Sequence, residues 1–128
     1  MLKCIGRYFA LACLLFASGL AAAGERPFDQ AAFDQLKAEG KPVVVYFHAT
    51  WCPTCKIQQP IVDRLSASAR LKDVTLFEAD YDKEVALKRA LHVTQQSTFV
   101  VFKNGHEVAR STGETTEPAI KNTLDKAL

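Results

Sequence analysis

Apolar residues come along this chain in short blocks, and the spacing inside the blocks changes from one to the next. Val43-Val44-Val45-Tyr46-Phe47 is an unbroken β-branched and aromatic run, which predicts a buried strand. Directly after it, Ile57, Ile61, Val62 and Leu65 recur at helical spacing and predict a helix from about Cys52 to Ala69, with Pro60 kinking it from inside. Ahead of the strand, Phe28, Ala31, Ala32, Phe33 and Leu36 mark an apolar stripe over Asp29–Ala38, with Asp29 as N-cap and Gly40 as the stop. Val74–Ala79 predicts the next strand, parallel to the first after a helical crossover. A helix over Lys83–Leu91 and a third strand at Thr98–Phe102 follow. Lys103-Asn104-Gly105-His106 carries the Asn-Gly pair of a type I′ hairpin, so Glu107–Ser111 returns antiparallel, and Gly113 allows a bend. The last helix spans Thr116–Ala127, with Pro118 in its first turn and Ile120, Leu124 and Leu128 as its stripe. The order α-β-α-β-α-β-β-α predicts an α/β fold: a small mixed sheet with helices on both faces. Such sheets gather ligands at the carboxyl ends of their parallel strands, and Cys52 falls at one.

The first two dozen residues belong to a different pattern. Lys3 and Arg7 give a basic start, Tyr8–Leu20 is apolar and uncharged, and Ala21-Ala22-Ala23 supplies the small residues of a cleavage site. This predicts a secretory signal peptide over 1–23, cut after Ala23, and one domain over 24–128. A membrane anchor is the alternative, but the apolar run is shorter than the ~20 residues that span a bilayer. Ala10-Leu11-Ala12-Cys13 resembles a lipoprotein box only faintly, because little apolar chain precedes Cys13. Cleavage leaves 128 − 23 = 105 residues, and takes Cys4 and Cys13 with it, leaving Cys52 and Cys55 of four cysteines. It also removes two of 16 basic residues, so that 14 face 14 acidic ones. A neutral mature chain gives no electrostatic case for nucleic acid or anionic lipid. Export places it in an oxidising compartment, the periplasm, with no structural disulfide framework to build.

Chemistry concentrates at Trp51-Cys52-Pro53-Thr54-Cys55-Lys56, where strand gives way to helix. Residues three apart on a helix are neighbours, and a tight first turn brings two cysteines within disulfide reach. The unpaired N–H groups and dipole of a helix N-terminus stabilise a thiolate at Cys52 and lower its pKa. Cys55, one turn in, is expected to be better shielded. Cys52 is then the attacking sulfur and Cys55 the resolving one. Pro53 fits the first turn, where its missing N–H costs nothing. The rival for an isolated C-x-x-C is half a zinc site, but no second pair stands at matching spacing, since His48, His92 and His106 are scattered.

Taken as a set, these residues, with Pro60, Phe102-Lys103-Asn104-Gly105 and Gly113, resemble the thioredoxin family over residues 27–128; with the leader, the chain is similar to periplasmic thiol:disulfide interchange proteins. The resemblance implies a thioredoxin fold with a four- or five-stranded sheet, since the family's first strand is hardly visible before residue 28. The family places a cis-proline before the Thr-aliphatic strand; here the residue is Ser97, in Gln95-Gln96-Ser97-Thr98-Phe99. A cis bond before a non-proline costs about 2.5–4 kcal/mol, so a trans Gln96–Ser97 bond is expected. The family's loop here pairs its backbone with an extended substrate and shields the thiols from metal. That makes Gln96 and Ser97 substrate-binding candidates and sets the Ser97 hydroxyl near a Cys52 thiolate. The buried acid of many thioredoxins appears as Tyr46, and its lysine partner aligns with Leu76, so both charges go together. Glu78 is a candidate to take the Cys55 proton; a solvated strand-end carboxylate is its plainer role. His48 could lower the Cys52 pKa as a cation, or simply pack.

The expected function is disulfide exchange with protein thiols and disulfides by an exported, monomeric enzyme. Cys52 and Cys55 are catalytic, and Trp51, Pro53, Gln96 and Ser97 contact substrate. No cofactor is called for, since the electrons reside in the sulfurs. Pro53-Thr54 puts no cation between the cysteines, which leans away from a strong oxidant and towards a reductant or isomerase-like role fed by a membrane thiol reductase. The alternative is a metal carrier holding copper or a bridged iron–sulfur cluster on the same thiolates. A third, a redox-inert docking module, requires both cysteines to be incidental.

Overall fold

The computed structural model describes residues 24–128; the expected leader and its cleavage site lie outside the described residues. The described elements are β1 (Gly24–Pro27), α1 (Gln30–Ala38), β2 (Val43–His48), α2 (Pro53–Ser66), β3 (Thr75–Asp80), α3 (Val85–Ala90), β4 (Thr98–Lys103), β5 (His106–Thr112) and α4 (Glu117–Leu124). Single 3-10 turns follow α2 at Ala69–Leu71 and α4 at Asp125–Ala127. Both of these helices are therefore shorter than their apolar stripes predict.

The strands form one sheet in the order β1-β3-β2-β4-β5, with β1, β3 and β2 parallel and β4 and β5 antiparallel to their neighbours. Of the two strand counts left open by the sequence, five is correct. Gly24–Pro27 pairs with Thr75–Glu78 as an edge strand, too short and too polar to show an alternating pattern.

β2 lies at the centre, flanked by β3 and β4, which is why its run is apolar on both faces. On one face Val44, Tyr46, Leu76, Phe99 and Val101 pack with Ile61, Val62 and Leu65 of α2 and with Ile120 and Leu124 of α4. On the other, Val43, Val45, Phe47, Phe77 and Phe102 pack with Phe33 of α1 and Leu87 of α3.

The predicted caps hold. Asp29 accepts from the Ala32 amide at 2.7 Å. Gly40 ends α1 at φ +68°, while the Gly40 and Lys41 amides donate to the carbonyls of Lys37 and Leu36, a Schellman closure. Asn104 and Gly105 both take positive φ (53° and 80°), as a type I′ turn requires. One expectation fails on α2: Ile57 is 53% exposed, and Gln58 takes the buried place beside it.

Candidate active site

β2 delivers the chain to the carboxyl edge of the sheet, and α2 starts at once. Cys52 is the N-cap of α2, and its sulfur accepts the Cys55 amide at 3.1 Å. A cysteine thus occupies the position usually held by Ser, Thr, Asp or Asn, and its sulfur satisfies an otherwise unpaired amide. Pro53 follows in the first turn, as expected.

Both thiols are free and reduced. Burial alone would raise the Cys52 pKa. Hydrogen bonds from the Cys55 side chain and amide, the Ser97 hydroxyl and Gln96 outweigh it and hold the thiol below its ordinary value. Cys55 is driven the other way, first by burial and then by the neighbouring Cys52 sulfur. Each residue is 0% exposed, and Cys55 lies the deeper of the two, as expected. Electrostatics separates the two sulfurs further, one thiol held down and the other pushed up.

Ser97 closes the site from the opposite side. Its amide donates to the Phe47 carbonyl at 2.7 Å, and its carbonyl accepts from the Gly113 amide at 3.0 Å. These bonds seat the loop against the end of β2. No described peptide bond is cis, and Ser97 instead takes φ +56°. Its hydroxyl lies 3.9 Å from the Cys52 sulfur. Gln58, fully buried, donates to the carbonyls of Ser97 at 3.4 Å and Glu114 at 2.8 Å, and so ties α2 to this loop. Sequence reasoning missed Gln58, although a polar residue three positions after Cys55 on the core face was the available signal.

The remaining candidates divide. Trp51 is 54% exposed and its indole N–H donates to Asp82 at 2.8 Å, a partner that the sequence did not single out. Pro53 is exposed beside it, and Gln96 is half-buried. His48 turns away towards Glu78, with Nδ1 3.6 Å from Oε1, and supplies none of the hydrogen bonds that lower Cys52. The lysine-partner alignment needs correction. The register puts Glu78, not Leu76, opposite Tyr46, and Leu76 lies opposite Val44. Charge therefore does stand beside the buried tyrosine.

The sequence model of the thioredoxin family matches residues 26–126. Thioredoxin Asp f 29 of Aspergillus fumigatus is 36% identical over 90 residues, 70% of this chain and 82% of that protein. Thioredoxin-1 of Saccharomyces cerevisiae is 38% identical over 81 residues, 63% of this chain and 77% of that one. The crystal structure of Trxlp from Edwardsiella tarda EIB202 superposes with a TM-score of 0.76 at 39% identity, covering 79% of this chain and 98% of that one.

Proposed function

This chain belongs to the thioredoxin family and is a thiol-disulfide oxidoreductase; from that premise we propose that it is exported and reduces or isomerises disulfides of protein partners. The observation that carries the mechanism is the opposed treatment of two adjacent sulfurs, one pKa lowered and the other raised. The Cys52 thiolate attacks one sulfur of a partner disulfide. That bond breaks, the other sulfur leaves as a thiolate and takes up a proton, and a mixed disulfide remains. Cys55 then loses its proton and attacks the Cys52 sulfur, forming the intramolecular disulfide and releasing the second partner thiol. Two electrons have passed from the protein to its partner.

Trp51 and Ile57, exposed apolar side chains flanking the cysteines in sequence, supply contact area for such a partner. Export is supported by the basic start, the apolar Tyr8–Leu20 and the small residues at Ala21–Ala23. The reducing direction is supported by Pro53-Thr54, which puts no positive charge between the sulfurs.

Cys55→Ala expressed in cells tests the reading. Partners should remain covalently attached to Cys52 and disappear in the Cys52→Ser, Cys55→Ala double variant. The recovered protein should begin at Gly24. A measured potential near the oxidising end of the scale, about −120 mV, would reverse the direction. Stoichiometric metal retained on purification and lost in Cys52→Ser would favour the carrier instead.

A further inference from the structure

Ser97 and Gln96 reach the Cys52 sulfur from across the site. Both lie in the short turn from Gln95 to Thr98, where Ser97 holds a left-handed φ of +56° that side chains disfavour. With serine at 97, no pyrrolidine ring fixes the backbone there. Packing contributes little on one side of the turn. A cavity of about 160 Å³ lies against Gln95, Thr98 and Thr112, and atoms bordering such a space lose the contacts that would pin them.

The turn is held by hydroxyls instead. Thr98 is 2% exposed and is the first residue of β4, paired with Phe47 on one side and Thr112 on the other. Its hydroxyl donates to the Gln95 carbonyl at 2.8 Å, which closes a ring over Gln96 and Ser97. A hydroxyl has one proton to give. Thr98 spends it on Gln95, so in the 2.8 Å bond between the two threonines Thr112 donates and Thr98 accepts. Thr112 thereby fixes the direction in which Thr98 points. The chain entering the turn is anchored separately. Tyr81 donates to the Thr94 carbonyl at 2.9 Å, and Arg110 donates to the carbonyls of Leu91 at 2.6 Å and His92 at 3.2 Å. The stretch left for the threonines to hold is the one that carries Gln96 and Ser97.

We propose that Thr98, aimed by Thr112, is a positioning residue that keeps Gln96 and Ser97 against the Cys52 sulfur, doing by hydrogen bonds what a rigid ring would do covalently. The inference rests on the oxidoreductase reading. Thr98 acts through these two residues, which steady the thiolate that attacks a partner disulfide. Without its hydroxyl, the ring over Gln96 and Ser97 opens, Ser97 is free to leave the left-handed region, and its own hydroxyl swings off the sulfur.

Thr98→Val keeps shape and burial and removes the hydroxyl. Iodoacetamide labelling of Cys52 in the reduced protein, followed against pH by peptide mass, should show its inflection moved to higher pH. The first coloured thiolate released from 5,5′-dithiobis(2-nitrobenzoate) at pH 7 should appear about twofold or more slowly, the size of one lost hydrogen bond. Thr98→Ser restores the hydroxyl and should return both readouts to wild type. Thr112→Val changes an exposed position, so the fold survives, and it should move the inflection the same way by less. In Ser97→Ala, adding Thr98→Val should move the inflection by clearly less than it does in wild type, because the group that Thr98 positions has already gone. Shifts that add in full, a Thr98→Ser that fails to rescue, or an inflection unmoved in Thr98→Val overturn the proposal, the last even where urea stability falls. If Thr98→Val does not fold, an inflection unmoved in Thr112→Val overturns it. If wild type releases no coloured thiolate at any pH, the oxidoreductase reading itself fails.

Discussion

The hydroxyl of Ser97 stands 3.9 Å from the sulfur of Cys52, presented by a backbone at φ +56°. A left-handed conformation costs a non-glycine residue about 1–2 kcal/mol. Ser97 holds it because its amide and carbonyl are tied to Phe47 and Gly113. Ser97→Ala keeps the backbone and removes the hydroxyl donor. The contact is long, so the Cys52 pKa should rise, and only modestly. Ser97→Gly should raise it equally while leaving stability within about 1 kcal/mol of wild type, because glycine accepts positive φ. Iodoacetamide alkylation rates against pH, beside urea melts, separate the two effects.

Trp51 is the chain's single tryptophan, and its indole is fastened to Asp82 at 2.8 Å. Asp82→Ala frees the ring and leaves the sheet untouched. The bond is exposed, so the loss of stability should stay below about 1 kcal/mol. Trp51 emission should change in intensity and anisotropy, and exchange with a protein disulfide should weaken more than exchange with a small one. Equal weakening for both substrates would count against Trp51 as a docking surface.

Gln58→Ala removes the donor to the Ser97 and Glu114 carbonyls from a fully buried position. An unsatisfied buried carbonyl costs about 1–3 kcal/mol, and a loss of that size should appear in urea denaturation. Gln58→Glu presents no amide donor to either carbonyl and should be as harmful above neutral pH.

Glu25 also makes stability depend on pH. Its folded pKa of about 8 lies above the ordinary 4.5, so the native state holds a proton that the unfolded state gives up across that window. Stability from this group is intact at pH 4.5 and below and falls as pH rises towards 8. Gln resembles the protonated form, so Glu25→Gln should match wild type near pH 4.5 and be more stable at pH 9. The difference between the two denaturation midpoints isolates Glu25 from the cysteines, whose own shifts are common to both.

Much was settled by local sequence. The all-apolar run at Val43–Phe47 can only be a central strand, Asp29 and Gly40 bracket their helix by capping chemistry, and Asn104-Gly105 sets a hairpin by tolerating positive φ. Three residues of spacing at a helix start placed Cys55 N–H on the Cys52 sulfur. Tertiary structure alone decided the rest, because it depends on which strands lie side by side. The strand at Gly24–Pro27 exists only by pairing with β3. The β2–β3 register set Glu78 rather than Leu76 against Tyr46. The approach of β1 to α2 brought Glu25 to Gln59, 34 positions away. A carboxyl's neighbours across a sheet leave no periodic trace along the chain, so its burial, and the proton it keeps, emerge only once the strands have assembled.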